Sequence, residues 1–469
     1  MQLMKHPLND KKVIRAWTMY DWANSVFSLT IATAIFPIYF SKMCKAASIS
    51  QGTAQGDVYY LDIFGLRVIG PELYSFVVSA GFLLVAFISP LLSGIADFKQ
   101  NKKLFLKTFC YMGSASCIGM YYFTSYTIEL GVIFFLLSLV GFAGSLVFYN
   151  AFLPEIASED MLDKVSARGF SMGYLGSVIL LIINLVTIMT PNLFFPIQAK
   201  AMHYMSENAA LNLEQATEMS KSYFSGIATR LSFVSVGLWW AGFAQITFKH
   251  VPEVLSNKVY DGNLFSKGFE ELKKVWMQLK HQPKMKKFLL GFFFTSMGVQ
   301  TVMYVASLFG EEELHLPTEV LIGTILIIQL IAILGAWTFA RVSAKFGNIY
   351  TLVFMILVWI LICIIAYQVK TQNTFLALGA LVGIVMGGIQ SLFRSTYAKL
   401  IPEGTTDTTS FFSFYDVAEK VAIVLGTFSY GLFNGITHSM RTSIIALAVY
   451  FLIGLIWMIQ IKNFKTNND

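Results

Sequence analysis

The sequence predicts an all-α polytopic membrane protein whose twelve transmembrane helices form two six-helix, pseudo-symmetric bundles. Three observations predict this fold: the composition, a regular series of apolar runs, and motifs that recur in both halves. Of the 469 residues, 56% are hydrophobic and 13% are charged, whereas soluble domains carry about 25% charged residues. So few charges cannot cover a water-exposed surface, and such high hydrophobicity is the opposite of a disordered chain.

Twelve runs of about 20 mostly apolar residues are each long enough to cross a bilayer as a helix. The first run is too long for a removable signal peptide and lacks a small-residue cleavage pattern, so we expect it to stay as the first helix. The runs cover residues 17–41, 74–96, 104–126, 128–152, 169–190, 229–249, 287–309, 319–340, 348–369, 374–395, 411–434 and 441–461.

The connections between these runs alternate in charge. The N-terminus and the second connection are rich in lysine, and the sixth holds nine lysines between Lys249 and Lys287. The seventh holds four acids, Glu311 to Glu313 and Glu319, and no Lys or Arg. Because Lys and Arg accumulate in cytoplasmic loops, we expect both termini to lie in the cytoplasm.

The sixth connection divides the chain into three parts. We expect one bundle over residues 1–248, with an external loop at about 191–228, a cytoplasmic linker over 249–286, and a second bundle over 287–469. Five apolar linker residues share one helical face: Phe265, Phe269, Leu272, Trp276 and Leu279. A basic amphipathic helix on the inner leaflet is favoured over a regulatory or partner-binding helix.

Two motifs recur in the second half of the chain. Leu153-Pro154-Glu155 returns as Ile401-Pro402-Glu403, 248 positions later, and the turn at 93–97 aligns with 340–347 at an offset of 247. Duplicated bundles that rock around a central site are a transporter design.

The turn after the second run resembles a motif of the major facilitator superfamily, Gly-x-x-x-Asp-basic-x-Gly-basic-basic. Ser93 and Phe98 depart from this pattern, whereas Asp97, Lys102 and Lys103 keep it. Asp97 is expected to cap a helix terminus or to pair with cations at a cytoplasmic gate.

Further motifs resemble the branch of that superfamily named for the yeast autophagy-related vacuolar amino-acid effluxer. The resemblance covers nearly the whole chain and implies a bacterial inner-membrane protein and amino-acid export, although bacterial members mostly lack an assigned substrate. The motifs are Trp17-x-x-Tyr20-Asp21-Trp22-Ala23-Asn24-Ser25, Asn150-Ala151-Phe152-Leu153-Pro154-Glu155, Gly173-Tyr174-Leu175-Gly176, Arg394-Ser395, Ile401-Pro402-Glu403-Gly404 and Phe411-Phe412-Ser413-Phe414-Tyr415-Asp416.

Ionisable side chains inside membrane helices are costly and therefore candidates for function. Asp21, Asn24 and Ser28 lie at i, i+3 and i+7, on one face of the first helix. This face predicts a cavity or a proton-coupling role for Asp21. The alternative is that Asp21 caps the helix or meets a lysine near the membrane entrance.

The eleventh run begins with three crowded charges. Asp416 and Lys420 are i, i+4 partners, and Glu419 then needs a partner of its own, for which Arg394 is the candidate. A charge network at the gate is favoured over interfacial charges that do little. The predicted gate residues are Asp97, Lys102, Lys103, Glu155, Arg168, Arg394, Glu403, Asp416, Glu419 and Lys420.

By resemblance, the first, fourth, seventh and tenth helices surround a central cavity. The substrate and coupling candidates are then Asp21, Asn24, Ser28, Tyr149, Asn150, Gln300, Tyr304 and Gln390. The alternative for each is an ordinary hydrogen bond between helices, worth about 0.6 kcal/mol on average.

Other classes of function lack their signatures. The cysteines and histidines have no metal spacing, no catalytic constellation is present, and no Gly-rich nucleotide loop occurs. We therefore expect no enzyme, metal, cofactor or nucleic-acid partner. The sequence favours a monomeric secondary transporter of a small polar solute, with membrane lipids, that solute and protons as its partners; a lipid translocator and a non-transporting sensor stay open as alternatives.

Overall fold

The computed structural model describes residues 7–56, 58–208, 210–252, 264–437 and 439–461. The longer helices are α1 (Lys11–Gln51), α2 (Gly70–Lys99), α3 (Lys102–Gly119), α4 (Ile128–Asn150), α5 (Leu162–Met189), α6 (Ile197–Glu207), α7 (Leu213–His250), α8 (Leu264–Lys280), α9 (Pro283–Glu312), α10 (Thr318–Phe346), α11 (Asn348–Gln368), α12 (Gln372–Leu400), α13 (Thr408–Thr437) and α14 (Met440–Ile459). Short turns of helix cover Met120–Tyr122, Leu153–Ile156 and Pro191–Leu193.

Ten of the helices in the described ranges are long and apolar enough to cross a membrane. They are α1, α2, α4, α5, α7, α9, α10, α11, α12 and α14. The chain is therefore an integral, polytopic membrane protein. The predicted apolar runs each fall on one helix, but α3 and α13 stand outside the ten.

The helices pack as two groups, which we call the first half (α1–α7) and the second half (α9–α14). Within the first half, α1 lies against α5 and α7, and α3 lies against α4 and α7. Within the second, α10 lies against α12, and α14 lies against α9 and α11. The halves meet where α2 contacts α13 and where α5 contacts α10 and α12. The predicted domain boundaries stay a prediction.

Small residues let some of these helices approach closely. A Cβ on Gly173 of α5 would overlap Ser25 of α1, and one on Gly176 would lie 2.9 Å from the carbonyl oxygen of Trp22. One on Gly387 of α12 would overlap the backbone of Ala332 in α10. These glycines therefore serve close helix packing.

The middle of α1 departs from regular α-helix. Residues Phe27–Ile35 form a π-helical segment, in which hydrogen bonds join residues five positions apart. The hydroxyl of Thr33 donates to the carbonyl oxygen of Ser28 at 2.9 Å in the same register. π-helical turns are rare and are frequent at functional sites, and Ser28, Leu29 and Thr33 of this segment line the central cavity.

A small antiparallel sheet, which the sequence did not predict, joins α1 to α2. Its strands are β1 (Ala54–Gln55), β2 (Val58–Ile63) and β3 (Leu66–Ile69). The turn between β2 and β3 places Phe64 and Gly65 at positive φ, 50° and 76°, which two-residue hairpin turns require. Leu61 and Ile63 point inward and are buried, so the sheet rests on the helix ends.

The predicted external loop is mostly helical. α6 lies within the range 191–228, and α7 begins at Leu213, also well inside it. Its 38 residues extend about 57 Å, which exceeds the bilayer core of about 30 Å. A capping box of Asn212 and Gln215 starts this helix in polar sequence, so hydropathy alone places its start too late.

The amphipathic linker helix α8 lies across α2. Gly268 and Val275 face the protein, and a Cβ on Gly94 would overlap the carbonyl oxygen of Gly268. The predicted apolar face is divided: Leu279 is buried, whereas Phe265, Phe269 and Trp276 are exposed. The residues between α7 and α8, 253–263, lie outside the described ranges.

Candidate functional site

A cavity of about 290 Å³ lies between the two halves. Its floor is polar and is formed by Asp21, Asn24, Asn150, Gln390 and Arg394, among others. Its wall further from Asp21 is largely apolar and includes Phe82, Leu321, Ile325, Phe375 and Leu378. Both halves contribute to floor and wall, so any movement between the halves changes the shape of the cavity.

An ion pair across the halves forms part of the floor. Arg394 of α12 meets Asp21 of α1, with 3.1 Å between Nη2 and Oδ2 and 3.4 Å between Nη1 and Oδ1. Tyr149 donates its hydroxyl proton to Asp21 Oδ2 at 2.7 Å. The prediction that Arg394 pairs with Glu419 is wrong, because Asp21 occupies the guanidinium.

The remaining donors of Arg394 are also used. Its Nε donates to Ser166 Oγ and its Nη2 to the carbonyl oxygen of Ser166, both at 2.9 Å, while Nη1 lies 3.4 Å from Asn150 Oδ1. The guanidinium carbon lies 4.1 Å from the ring centre of Phe170 and 4.9 Å from that of Trp17. A guanidinium has five N–H donors, and here each has an acceptor, so the arginine is held rigidly.

Gly169 of α5 makes room for this pair. An added Cβ would overlap Asp21 Oδ2 and come within 2.8 Å of Arg394 Nη2. The absence of a side chain at this helical position is therefore a condition for the ion pair.

A second charged cluster lies on α13. Lys420 Nζ lies 3.1 Å from Asp416 Oδ1 and 2.8 Å from Glu419 Oε2, and Gln300 of α9 donates to Glu419 Oε1 at 3.3 Å. Lys420 is 12 residues into α13, about 18 Å along the helix axis. Asp416 and Lys420 are buried within the bundle, and Glu419 and Lys420 line the cavity.

The two halves also meet at the end of the bundle that carries Lys11, Asp97 and Pro283, which we call the basic end. There Asp97, at the end of α2, accepts hydrogen bonds from the backbone N–H groups of Thr409 and Ser410 at 3.1 and 2.6 Å. These are donors that the first turn of α13 leaves unpaired. Asp97 thus acts as a capping acceptor supplied from another helix.

Beside this cap, Lys102 forms an ion pair with Glu155, which follows α4. Thr408 of α13 donates to Glu155 Oε1 at 2.8 Å, and Lys102 Nζ lies 3.2 Å from Thr408 Oγ1. Lys103 donates to the carbonyl oxygen of Val251 at 2.8 Å, at the end of α7. The Lys102–Glu155 pair therefore touches the second half through one hydroxyl.

A further contact at the basic end was not predicted from the sequence. Asp163 of α5 accepts from Ser343 at 3.0 Å, from Asn348 at 2.8 Å and from Lys399 at 2.9 Å. These partners come from α10, α11 and α12. An acid in the first turn of a helix is ordinary dipole chemistry, so only its spatial neighbours reveal this role.

The linker helix α8 joins this end from outside. Lys274 lies 2.6 Å from Asp407 Oδ2, just before α13, and 3.2 Å from Glu271 Oε2. Burial lowers the pKa of Lys274, but hydrogen bonds to Asp407 and Glu271 and the charges of these carboxylates outweigh burial and raise it above its ordinary value. The Trp276 ring lies 5.7 Å from that of Phe414 in α13.

The predicted residues fall into three groups. The residues that line the cavity are Asp21, Asn24, Ser28, Asn150, Gln300, Tyr304, Gln390, Arg394, Glu419 and Lys420. Tyr149 and Asp416 are buried directly behind them. Asp97, Lys102, Lys103 and Glu155 lie at the basic end, whereas Arg168 and Glu403 are exposed and join none of the networks described above.

Comparisons with known proteins agree with this architecture. The family model described as "Vacuole effluxer Atg22 like" matches residues 9–469. An uncharacterised MFS-type transporter of Bacillus subtilis, YxiO, is 28% identical over 441 residues, which cover 94% of this chain and 92% of that protein. Autophagy-related protein 22 of Kluyveromyces lactis is 22% identical over 496 residues, covering 96% and 93%.

Solved structures show the same fold. The human organic anion transporter MFSD10 matches with a TM-score of 0.67 at 11% identity, over 97% of this chain and 100% of that one. The transporter FucP in its outward conformation matches with a TM-score of 0.62 at 13% identity, over 97% and 99%. The chain belongs to the Atg22-like vacuole effluxer family of major facilitator superfamily membrane transporters.

Proposed function

We propose that this chain is a secondary transporter that exports a small polar solute, an amino acid in the first place, across the bacterial inner membrane by alternating access. The main observation in support is the cavity of about 290 Å³ between the halves, with paired charges in its floor. Its volume is at the lower end of ligand pockets, which measure about 300–1,000 Å³. The family description "effluxer" supports export.

In this proposal twelve helices cross the membrane. α3 and α13 are less apolar than the ten helices named above, because α3 begins with Lys102 and Lys103 and α13 carries Asp416, Glu419 and Lys420. Both nevertheless pack between spanning helices of their own half. The basic end faces the cytoplasm, in keeping with the positive-inside rule, and the protein works as a monomer.

Alternating access requires the contacts at the basic end to open and close. The described state is closed there by Asp21–Arg394, by Asp97 on the start of α13 and by Asp163 with Lys399. A solute shifts this balance only if it binds the two states with different affinity. The residues placed to do so line the floor: Asn24, Ser28, Asn150 and Gln390.

A second candidate is an amphiphile, such as a lipid. The apolar wall formed by Leu321, Ile325, Phe375 and Leu378 favours it, since an acyl chain would pack there. The charged floor favours a solute with a polar head, and the two candidates differ in how much apolar length they carry.

Counterflow in proteoliposomes tests the proposal. Vesicles loaded with unlabelled protein amino acids are diluted into a radiolabelled mixture of them, and uptake is followed over time. We expect transient accumulation, and we expect Asn24→Ala to reduce it, because Asn24 Nδ2 is a buried donor at the cavity with no hydrogen-bond partner among the described residues. Asn373→Ala, an exposed amide at the start of α12, is the matched control.

The outcomes separate the candidates. No counterflow with any amino acid, together with exchange of a labelled lysophospholipid, would reject the solute in favour of the amphiphile. If neither the amino acids nor the lysophospholipid exchanged, transport of both classes of solute would be rejected. Equal effects of the two asparagine substitutions would remove Asn24 from the binding site.

A further inference from the structure

The cluster on α13 is unbalanced in charge. Asp416 and Glu419 supply two carboxylates and Lys420 supplies one ammonium. The side chains of Asp416 and Lys420 are 4% exposed and that of Glu419 is 23% exposed. With all three ionised, the cluster carries one uncompensated negative charge away from bulk water, which is costly.

The hydrogen bonds of the cluster show where the imbalance lies. Lys420 uses two of its three donors, on Asp416 Oδ1 and Glu419 Oε2. Glu419 Oε1 accepts from Gln300. Asp416 Oδ2 is buried and has no hydrogen-bond partner among the described residues. The cluster therefore lacks one positive charge or one proton.

The Asp21–Arg394 pair differs on each of these points. It has one charge of each sign, all five guanidinium donors have acceptors, and Tyr149 adds a hydrogen bond to Asp21. Nothing in this pair requires a further charge. Its placement between the halves suits a latch, whereas the α13 cluster lies within one half.

Few other polar groups face the cluster. From α9 these are Gln300 and Tyr304, which lies close enough to interact with Lys420 and Glu419. From α2 the apolar ring of Phe82 lies 5.8 Å from Lys420 Nζ. Tyr74, also of α2, lies near Tyr304. On α13 itself it is Tyr415, within range of Asp416, Glu419 and Arg394. The polar groups on the other helices packed against α13 have partners elsewhere. Tyr450 of α14 donates a hydrogen bond to Ser429, and Lys274 of α8 donates to Asp407. Tyr149 and Asn150 of α4 lie beside Asp21.

We propose that the Asp416–Glu419–Lys420 cluster binds one proton, shared by its two carboxylates, and is the site that couples a proton gradient to transport. This inference rests on the proposed transport function. Glu419 lines the cavity and is the most accessible of the three, so a proton enters the cluster from the cavity and neutralises one of its two carboxylates. Lys420 and the other carboxylate are then left as a balanced pair.

Two transport measurements in proteoliposomes test the coupling. Counterflow of the radiolabelled amino-acid mixture needs no net proton movement, whereas accumulation driven by a pH gradient does. Glu419→Gln mimics the protonated acid, so we expect it to keep counterflow and to lose the gradient-driven accumulation. Asp416→Asn leaves one acid for one lysine, and we expect the same loss. Glu311→Gln, an exposed acid on α9, is the control.

Infrared spectroscopy of the solubilised protein tests proton binding without any solute. In a pH titration kept above the range in which exposed carboxylates protonate, about pH 4, we expect a protonated-carboxyl band in the wild type and in Glu311→Gln, and its loss in Glu419→Gln. An unchanged band in Glu419→Gln would overturn the proposal whether or not amino acids are the substrate. The proposal would also be overturned if gradient-driven accumulation survived both substitutions. Loss of counterflow in Glu419→Gln would overturn it too, because that result would assign Glu419 to the binding of a substrate ammonium group. Absent counterflow in the wild type would count against the proposed function alone.

Discussion

Asp21 and Arg394 are 373 positions apart in the sequence, and their side chains meet at 3.1 Å in the interior of the protein. Removing one partner of such a buried pair leaves an unpaired charge and costs about 3–5 kcal/mol. In the proposed transport cycle the pair breaks when the basic end opens, so Asp21→Asn should shift the protein towards the state that is open there. Maleimide labelling of Ser395→Cys, a buried position on α12, should become faster.

The double variant Asp21→Asn/Arg394→Gln is the control for this prediction. It removes both charges, so no buried charge is left unpaired, and the labelling rate should return towards that of the parent. Equal labelling in the parent and in Asp21→Asn would show that the pair does not hold the closed state.

Gly169→Ala tests the same pair through its packing. The added Cβ would overlap Asp21 Oδ2, so we expect the carboxylate and the guanidinium to separate and the thermal unfolding midpoint to fall. Gly242→Ala is the matched control, since a Cβ at Gly242 of α7 meets nothing within 4 Å. That change should be neutral or stabilising by up to about 1 kcal/mol, because alanine favours helix over glycine. Similar midpoints for both variants would rule out a packing role for Gly169.

Asp97→Ala should weaken the closure at the basic end. It removes the acceptor for two backbone N–H groups at the start of α13, and loss of a helix cap costs about 0.5–2 kcal/mol. Asp97→Asn retains one acceptor oxygen and should have a smaller effect. Hydrogen exchange of the amides of Thr409 and Ser410 measures this directly, and unchanged protection in Asp97→Ala would contradict the prediction.

The contact of α8 with the start of α13 should weaken at alkaline pH. The pKa of Lys274 is raised in the folded protein, so its stabilisation is fully present below the ordinary lysine value of about 10.4 and is lost as the pH rises through the raised value. The lysine is half exposed, so we expect about 0.2–1 kcal/mol. Limited proteolysis within α8 should increase over this range, and Lys274→Met should be cut equally readily on both sides of it.

The helices could be predicted because each apolar run is continuous along the chain. The sheet between α1 and α2 was not predicted, although Val, Tyr and Ile in β2 favour a strand, because its turn is Phe64-Gly65 rather than the usual Asn-Gly. The start of α7 was placed too late because its first turns are polar and are stabilised by packing against α6.

The sequence predicts which charged residues belong to the candidate site, but not which of them pair with each other. A charge in an apolar run is visible in the sequence, and this signal found Asp21, Asp416, Glu419 and Lys420. Which charges meet depends on how two halves pack, so the partner of Arg394 was assigned wrongly. Asp163 was missed because an acid at the start of a helix has an adequate local explanation.

The carboxylates that join the two halves at the basic end have a common direction. Among the described residues, Asp21, Asp97 and Asp163 stand on the first half, and a guanidinium, two backbone N–H groups and an ammonium stand opposite on the second. Two copies of the first half would therefore set acid against acid, so this surface selects its unlike partner.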